Sequence, residues 1–278
     1  MPIDLTPLLP FVPVWLMIVF RLTGIFVLAP VLGSQAIPRL VKVFLALGLS
    51  FAIWPMLWND PAVAENLGGA IHGLNLWSLG FLVGFELLIG YLIGFAASLP
   101  LTGMQLGGHI IDQQMGLAVG GIFNPESGGD SAAMGQMLFM LALAIFVMAG
   151  GLEVMLTTLA QSFRTVPMGG MTNFDQIAQF VVGLVTVMFE LALRVAAPLL
   201  CLMFLTSVGM GFLMRTVPQM NILSVGFAIR ILASTAVMLV SVGALAGAYE
   251  DHMNMTFHRL LRFFSITPPT SFLTIFPR

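Results

Sequence analysis

The sequence predicts an all-α integral membrane protein of about six to eight hydrophobic helices, some broken or re-entrant, in a helical hairpin-type assembly. Two observations carry that prediction. Of 278 residues, 59% are hydrophobic and 8% charged, with a mean hydropathy of +1.03, far outside the soluble range. The apolar residues also gather into six runs, near 8–32, 41–58, 74–102, 132–160, 177–214 and 223–248, each near or above the roughly 20 residues a spanning helix needs. With 29 Gly, 23 Phe and 20 Met, the interior is made of residues that allow close backbone approach and adaptable apolar packing.

The first run follows MPIDLTP, which has no Lys or Arg, and no small-residue cleavage site precedes the next run. It reads as a retained helix interrupted by Pro10, Pro13 and Arg21, not as a cleaved signal peptide. SQAIPRLVK leads into the second run, and NDPAVAENLGGAIHG leads into the third. The fifth run is long enough for two helices, and Pro198 is expected to divide it, because a proline mid-run removes a hydrogen bond and clashes with the preceding turn. FRTVPMGGMTNFDQ and RTVPQMN complete the short connections. No linker separates domains, so 1–278 is expected to be one helical unit, with 249–278, including HRLLRFF and TPPTSF, as an interfacial C-terminal tail.

Charge orients these runs poorly. Arg39 and Lys42 put the first connection in the cytoplasm and Arg215 agrees, but alternating spans then carry Arg259, Arg262 and Arg278 to the opposite side. Either the count, the rule, or the assumption that every run crosses a bilayer must yield. Arg21, Glu86, Glu153, Glu190, Arg194 and Arg230 lie within or close to apolar runs, where each ionised group costs about 2.5–3.5 kcal/mol unless paired or hydrated. Glu190 and Arg194 are spaced to neutralise each other on one helix face. Arg21 and Glu86 have no local partner; each can meet a charge on another helix, another subunit, or an aqueous path.

A net charge of −2 with no basic patch speaks against nucleic acid. No HExxH, G-x-S-x-G or P-loop motif is present, and Asp130 lacks a facing aspartate on a neighbouring span, Asp112 being in the same connecting region. His72, His109, His252 and His258 are scattered, and Cys201 sits alone in an apolar run. Catalytic, cofactor-binding and metal sites are therefore not expected, and the chain is not read as an enzyme.

Between Gly103 and Gly135 lie nine of the 29 glycines. QMGLAVGGIFNPESGGDSAAMGQ, 114–136, is too long for a tight turn and too apolar for an ordinary water-exposed loop. Non-helical backbone at membrane depth is tolerated only where protein buries it or where it lines a watery cavity. A plug in a conduit fits those conditions; a surface loop packed on helix ends fits the residues as well. Met134, Met137 and Met140, three apart, are helix-packing residues or a soft sealing surface. Pro38, Pro167 and Pro218 are expected to end helices or start turns, and Gln219 and Asn221 to cap helices or bond between subunits.

Four stretches in order carry a resemblance over nearly the whole chain: FRLTGIFVLAPVLGSQAIPRLVKVFLALGLS at 20–50, GFELLIGYLIGFAASLPLTGMQLGGHIIDQQMGLAVGGIFNPESG at 84–128, LAQSFRTVPMG at 159–169 and VPQMNILSVGFAIRI at 217–231. The chain resembles the FliR family of flagellar type III export gates and their virulence counterparts, with PQMN before VGF closer to the flagellar branch. It departs at Ala228 and Arg230, where the family commonly has Pro and Lys after Gly226 and Phe227, and at Glu153, near a common His. The resemblance implies a channel component of the bacterial inner membrane and flagellar basal body. Its implied partners are FliP, FliQ, FlhB- and FlhA-like export proteins, rod proteins and exported unfolded flagellar subunits. It implies unconventional helix topology, and a closed pore plugged by a loop matched at Gln114, Met115, Gly116, Asn124 and Pro125 and including Gly120, Gly121, Ile122 and Phe123. Two alternatives are a virulence secretion subunit of the same fold and a small-molecule transporter with Arg21 and Glu86 as coupling groups; no internal repeat supports the second.

Overall fold

In hydrocarbon, no water satisfies exposed N–H and C=O groups, so long apolar segments must close their hydrogen bonds internally as helices. The computed structural model describes residues 11–34, 36–58, 76–116, 133–166, 174–216 and 222–266, and these form seven helices. They are α1 (Phe11–Leu28), α2 (Arg39–Trp58), α3 (Leu76–Met115), α4 (Ala133–Met148), α5 (Gly151–Thr165), α6 (Phe174–Thr216) and α7 (Ile222–Phe263). The protein is an all-α integral membrane protein. By length and composition, three helical segments can cross a membrane: Leu79–Met115, Phe174–Thr216 and Val225–Phe263. The bent pair α4 and α5, broken at Gly150 with φ 69°, makes a fourth if it counts as one span.

One sequence expectation is revised here. Pro198 does not divide the fifth run: α6 continues through it for 43 residues, as α3 continues through Pro100 and α2 through Pro55. Pro198 faces outward, so its ring meets no packed neighbour, and one lost bond among forty residues does not open the ladder. Among the described residues the helices also differ in length: α1 has 18 residues, whereas α3, α6 and α7 have 40, 43 and 42. At 1.5 Å per residue each is about 60 Å long, twice the roughly 30 Å hydrocarbon core. Helices of that length reach well beyond one bilayer thickness, which weakens the alternation assumed in counting basic residues.

The chain divides into two compact units. The first comprises 1–98, 147–184 and 256–278, and therefore holds α1, α2, α5, the start of α3 and of α6, and the end of α7. Its core includes Met17, Ile18, Leu22, Ile25, Ile89, Ile93, Leu159 and Phe163. Close approach of α1 to α3 depends on glycine: a Cβ on Gly90 would collide with the Arg21 carbonyl, one on Gly24 with that of Leu87, and one on Gly94 would lie 2.9 Å from that of Ile25. After α1, Val31 holds a left-handed φ of 66°, and the Lys42 ammonium donates to the Gly33 carbonyl at 2.8 Å. Pro38 stands just before α2, its carbonyl accepting from the amides of Val41 and Lys42. At the other end of this unit, the Phe180 and Phe263 rings stack at 4.2 Å and Arg259 Nη1 donates to the Gly183 carbonyl at 2.7 Å.

The second unit comprises 99–146 and 185–255. Gly103 and Gly107 again clear space on α3, here for α6: added Cβ atoms would lie 2.9 Å from the carbonyls of Met188 and Ala192. Leu138, Ala142 and Phe146 bury one face of α4. Tyr249, first residue of the segment read as a C-terminal tail, is buried within α7, which runs unbroken to Phe263. His252 and Met253 are buried as well, and so, in the part of α7 that belongs to the first unit, are Thr256, Phe257, Leu260 and Leu261. Residues 267–278 lie outside the described set.

Candidate functional site

Among the described residues, a buried ionisable group with polar partners on another helix stands in each unit. In the first unit, Arg21 on α1 and Glu86 on α3 are both fully buried, and Arg21 Nε donates to Glu86 Oε2 at 2.5 Å. Arg21 Nη1 donates to Ser162 Oγ at 3.0 Å, and that hydroxyl donates to the Leu159 carbonyl at 2.7 Å. The guanidinium carbon lies 4.1 Å from the centre of the Phe163 ring, adding a cation–π contact. Three helices, α1, α3 and α5, thus converge on one arginine. Gly90, one helical turn beyond Glu86, admits α1 to the distance at which this pairing is possible. A buried ion pair needs further hydrogen bonds to offset its desolvation; Ser162 Oγ supplies one at Nη1, while Arg21 Nη2 is buried without a hydrogen-bond partner. Chemically, the group is a neutralised anchor.

In the second unit, the last turns of α3 meet the first turn of α4. Asp112 is buried, and its two carboxylate oxygens accept from the backbone amides of Met134 (Oδ1, 3.1 Å) and Gly135 (Oδ2, 3.0 Å). Those amides belong to the α4 first turn, where N–H groups have no partner in their own helix and the helix dipole favours a negative charge. Gly108, one turn before Asp112, packs so closely on Gly135 that a Cβ would overlap its Cα, and a Cβ on Gly135 would lie 3.4 Å from the His109 ring. Gln114 and Met115 close α3, and Gly116 then turns left-handed at φ 82°. An added Cβ there would stand 3.4 Å from the ring of Phe227 on α7.

Of the plug-loop residues, Gln114, Met115 and Gly116 are therefore placed, whereas Gly120, Gly121, Ile122, Phe123, Asn124 and Pro125 lie outside the described residues, as do Pro167, Pro218, Gln219 and Asn221. Gly226 on α7 is buried, with the Met210 methyl 2.8 Å from where its Cβ would be. Arg230 Nη2 donates to Ser207 Oγ at 3.1 Å. Glu190 and Arg194 are both exposed on α6, and the i,i+4 pair expected between them is not formed. Glu153 is exposed in the first turn of α5. Met137 and Met140 are exposed on α4, while Met134 is half-buried. Asp112 was not singled out from the sequence for this role. The signal available was Gly108 and Asp112 four apart on one helix, with glycine again at 135 at the start of the next.

Comparison with known proteins adds what geometry does not. The chain is similar to the flagellar biosynthetic protein FliR of Escherichia coli (strain K12), at 27% identity over 259 residues, covering 91% of this chain and 95% of that protein. It is similar to the FliR of Bacillus subtilis (strain 168) at 24% over 248 residues, covering 88% and 92%. The Yop proteins translocation protein T of Yersinia pestis aligns at 25% over 223 residues, covering 79% and 82%. Residues 12–271 match the family described as bacterial export proteins, family 1, and it is to this family that the chain belongs.

Proposed function

We propose that the chain is the FliR-type subunit of a flagellar type III protein export gate, forming with FliP and FliQ the conduit through which unfolded flagellar subunits leave the cytoplasm. FlhB- and FlhA-like export proteins and the basal-body rod are its further partners, and the bacterial inner membrane its site. The observation that carries this reading is the match to an export family over 12–271, joined by flagellar relatives that cover about nine-tenths of the chain. Physical chemistry supports a subunit over a solitary bundle. Glu190 and Arg194 project unpaired from a helix long enough to span, and exposed to lipid alone each would cost about 2.5–3.5 kcal/mol. A protein partner or water in a conduit relieves that cost.

Within this reading the segment following Gly116 stops the closed pore. Its glycines let it move aside, its apolar residues seal, and no catalysis is asked of it. The test is solute leakage in cells lacking their own FliR-type protein and expressing this chain with FliP-like and FliQ-like partners, intact or deleted from Gly116 to Asp130. Leakage only from the deletion, with the complex still co-purifying, supports the stopper; a tight, assembled deletion rejects it. Motility restored by the intact chain separates a flagellar role from that of a virulence counterpart, which the lower coverage of the Yersinia relative makes the second choice.

A further inference from the structure

Glu190 and Arg194 stand one turn apart on α6, both exposed, on a helix long and apolar enough to cross a membrane. Both lie in the middle third of its 43 residues, away from the ends where a long side chain can reach water by stretching along the helix. Among the described residues neither side chain forms an ion pair, and the two do not meet each other. Charged groups so placed in spanning helices face a bundle interior or a watery cavity, and pair there.

The surrounding face decides between those two settings. Glu190, Arg194, Ala197 and Cys201 follow at steps of three and four residues, so they lie along one line of the helix, and all four are exposed. The Arg194 carbonyl adds a third polar group to this line, because Pro198 has no N–H to offer it. Around that one polar turn the face is apolar: Phe189 and Leu193 border the charges, and Phe204 and Leu205 continue the line, each half to three-quarters exposed. A water-lined face carries polar residues over several turns, and this one carries them over one. Lipid covers the apolar part but offers the charges nothing. A protein helix satisfies both, and the small side chains of Ala197 and Cys201 let its backbone come close.

We propose that this face of α6 seats a transmembrane helix of a partner subunit, one that carries a basic and an acidic residue about one turn apart in an otherwise apolar face. The base meets Glu190 and the acid meets Arg194. A second copy of this chain fits poorly, because two α6 helices related by a two-fold axis along the membrane normal set like charges level with each other. The inference rests on the chain being a gate subunit, and it adds which surface is bound and by what chemistry. Apolar area holds the helices together, and the paired charges fix their register and exclude other partners.

The experiment uses the full chain co-expressed with its FliP-like and FliQ-like partners. A photo-activated benzophenone amino acid in place of Leu193, which stands between the two charges, reads the occupant directly. The expected result is a cross-link to one partner, mapped by mass spectrometry to a helix with a base and an acid about one turn apart. A cross-link to a helix without that pair, or none while the complex assembles, overturns the proposal. Glu190→Arg combined with Arg194→Glu then exchanges the charges, which keeps an i,i+4 pair on α6 but turns both ends against the partner. Recovery of the complex is expected to fall about tenfold or more, and exchanging base and acid on the cross-linked helix to restore it. Parental recovery of the exchanged chain overturns the proposal, since pairing within α6 or water is then enough. If the exchanged chain does not fold, the cross-link from Leu193 decides alone. A parent chain that co-purifies with neither partner refutes the subunit reading itself, an outcome distinct from a parent and an exchanged chain that both assemble.

Discussion

The Arg21 guanidinium is held by the Glu86 carboxylate inside a unit where both side chains are wholly shielded from solvent. Removing either partner strands a buried charge, so Arg21→Met and Glu86→Leu are each expected to destabilise the protein by about 3–5 kcal/mol. Replacing both, as Arg21→Met with Glu86→Leu, is expected to recover most of that loss, because two apolar chains of similar volume need no compensation. A double-mutant cycle read from thermal unfolding in detergent checks this. Export by the double variant also bears on mechanism: coupling groups of a transporter must ionise, so retained function excludes that role, and lost function with retained folding revives it.

Glycine acts differently along the same structure. Gly90→Ala is expected to cost about 1–3 kcal/mol, since a methyl there meets the rigid backbone of Arg21 and must separate α1 from α3. Gly48 on α2 has nothing within 4 Å of an added Cβ, and Gly48→Ala is expected to stabilise by about 0.5–1 kcal/mol through reduced chain entropy. Melting temperatures moving in opposite directions confirm the contrast. A loss at both positions would mean that face of α2 is covered in the assembly.

Much of the fold was legible because lipid leaves a chain few options. Apolar runs become helices, and all six runs contain one. What escaped depended on three dimensions. Arg21 and Glu86 are 65 positions apart, and nothing local to either names the other. Glu190 and Arg194 have ideal spacing, yet such a pair is worth only about 0.2–0.5 kcal/mol, too little to fix two long exposed side chains. Asp112 read as a stray acid in a connecting region because its partners are backbone amides, which leave no residue-type signature. The glycine-rich stretch was visible as composition, while the Gly108–Gly135 approach and the Asp112 hydrogen bonds depend on how α3 and α4 pack.

Pro198 supplies a third prediction. It interrupts the hydrogen-bond ladder of α6 without breaking the helix, and its ring is exposed. Pro198→Ala restores an N–H opposite the Arg194 carbonyl and opens no cavity, so it is expected to stabilise the protein by about 0.5–1.5 kcal/mol. Hydrogen exchange at residues 194–202 should slow accordingly. An unchanged exchange rate would show that the carbonyl is already satisfied, by water or by a partner.

Gly116 separates two causes of constraint that usually occur together. Its φ of 82° disfavours any L-residue by about 1–2 kcal/mol, whereas the Phe227 ring, 3.4 Å from an added Cβ, is at the edge of ordinary contact and belongs to a half-exposed side chain free to shift. Backbone strain should therefore dominate. Gly116→Ala is expected to cost about 1–2 kcal/mol, and Gly116→Asn less, because asparagine tolerates the left-handed region. Phe227→Ala should not rescue Gly116→Ala, and the two losses should add in thermal unfolding. Rescue by Phe227→Ala would instead place the constraint in the contact between the end of α3 and α7, and make that contact the element holding the turn.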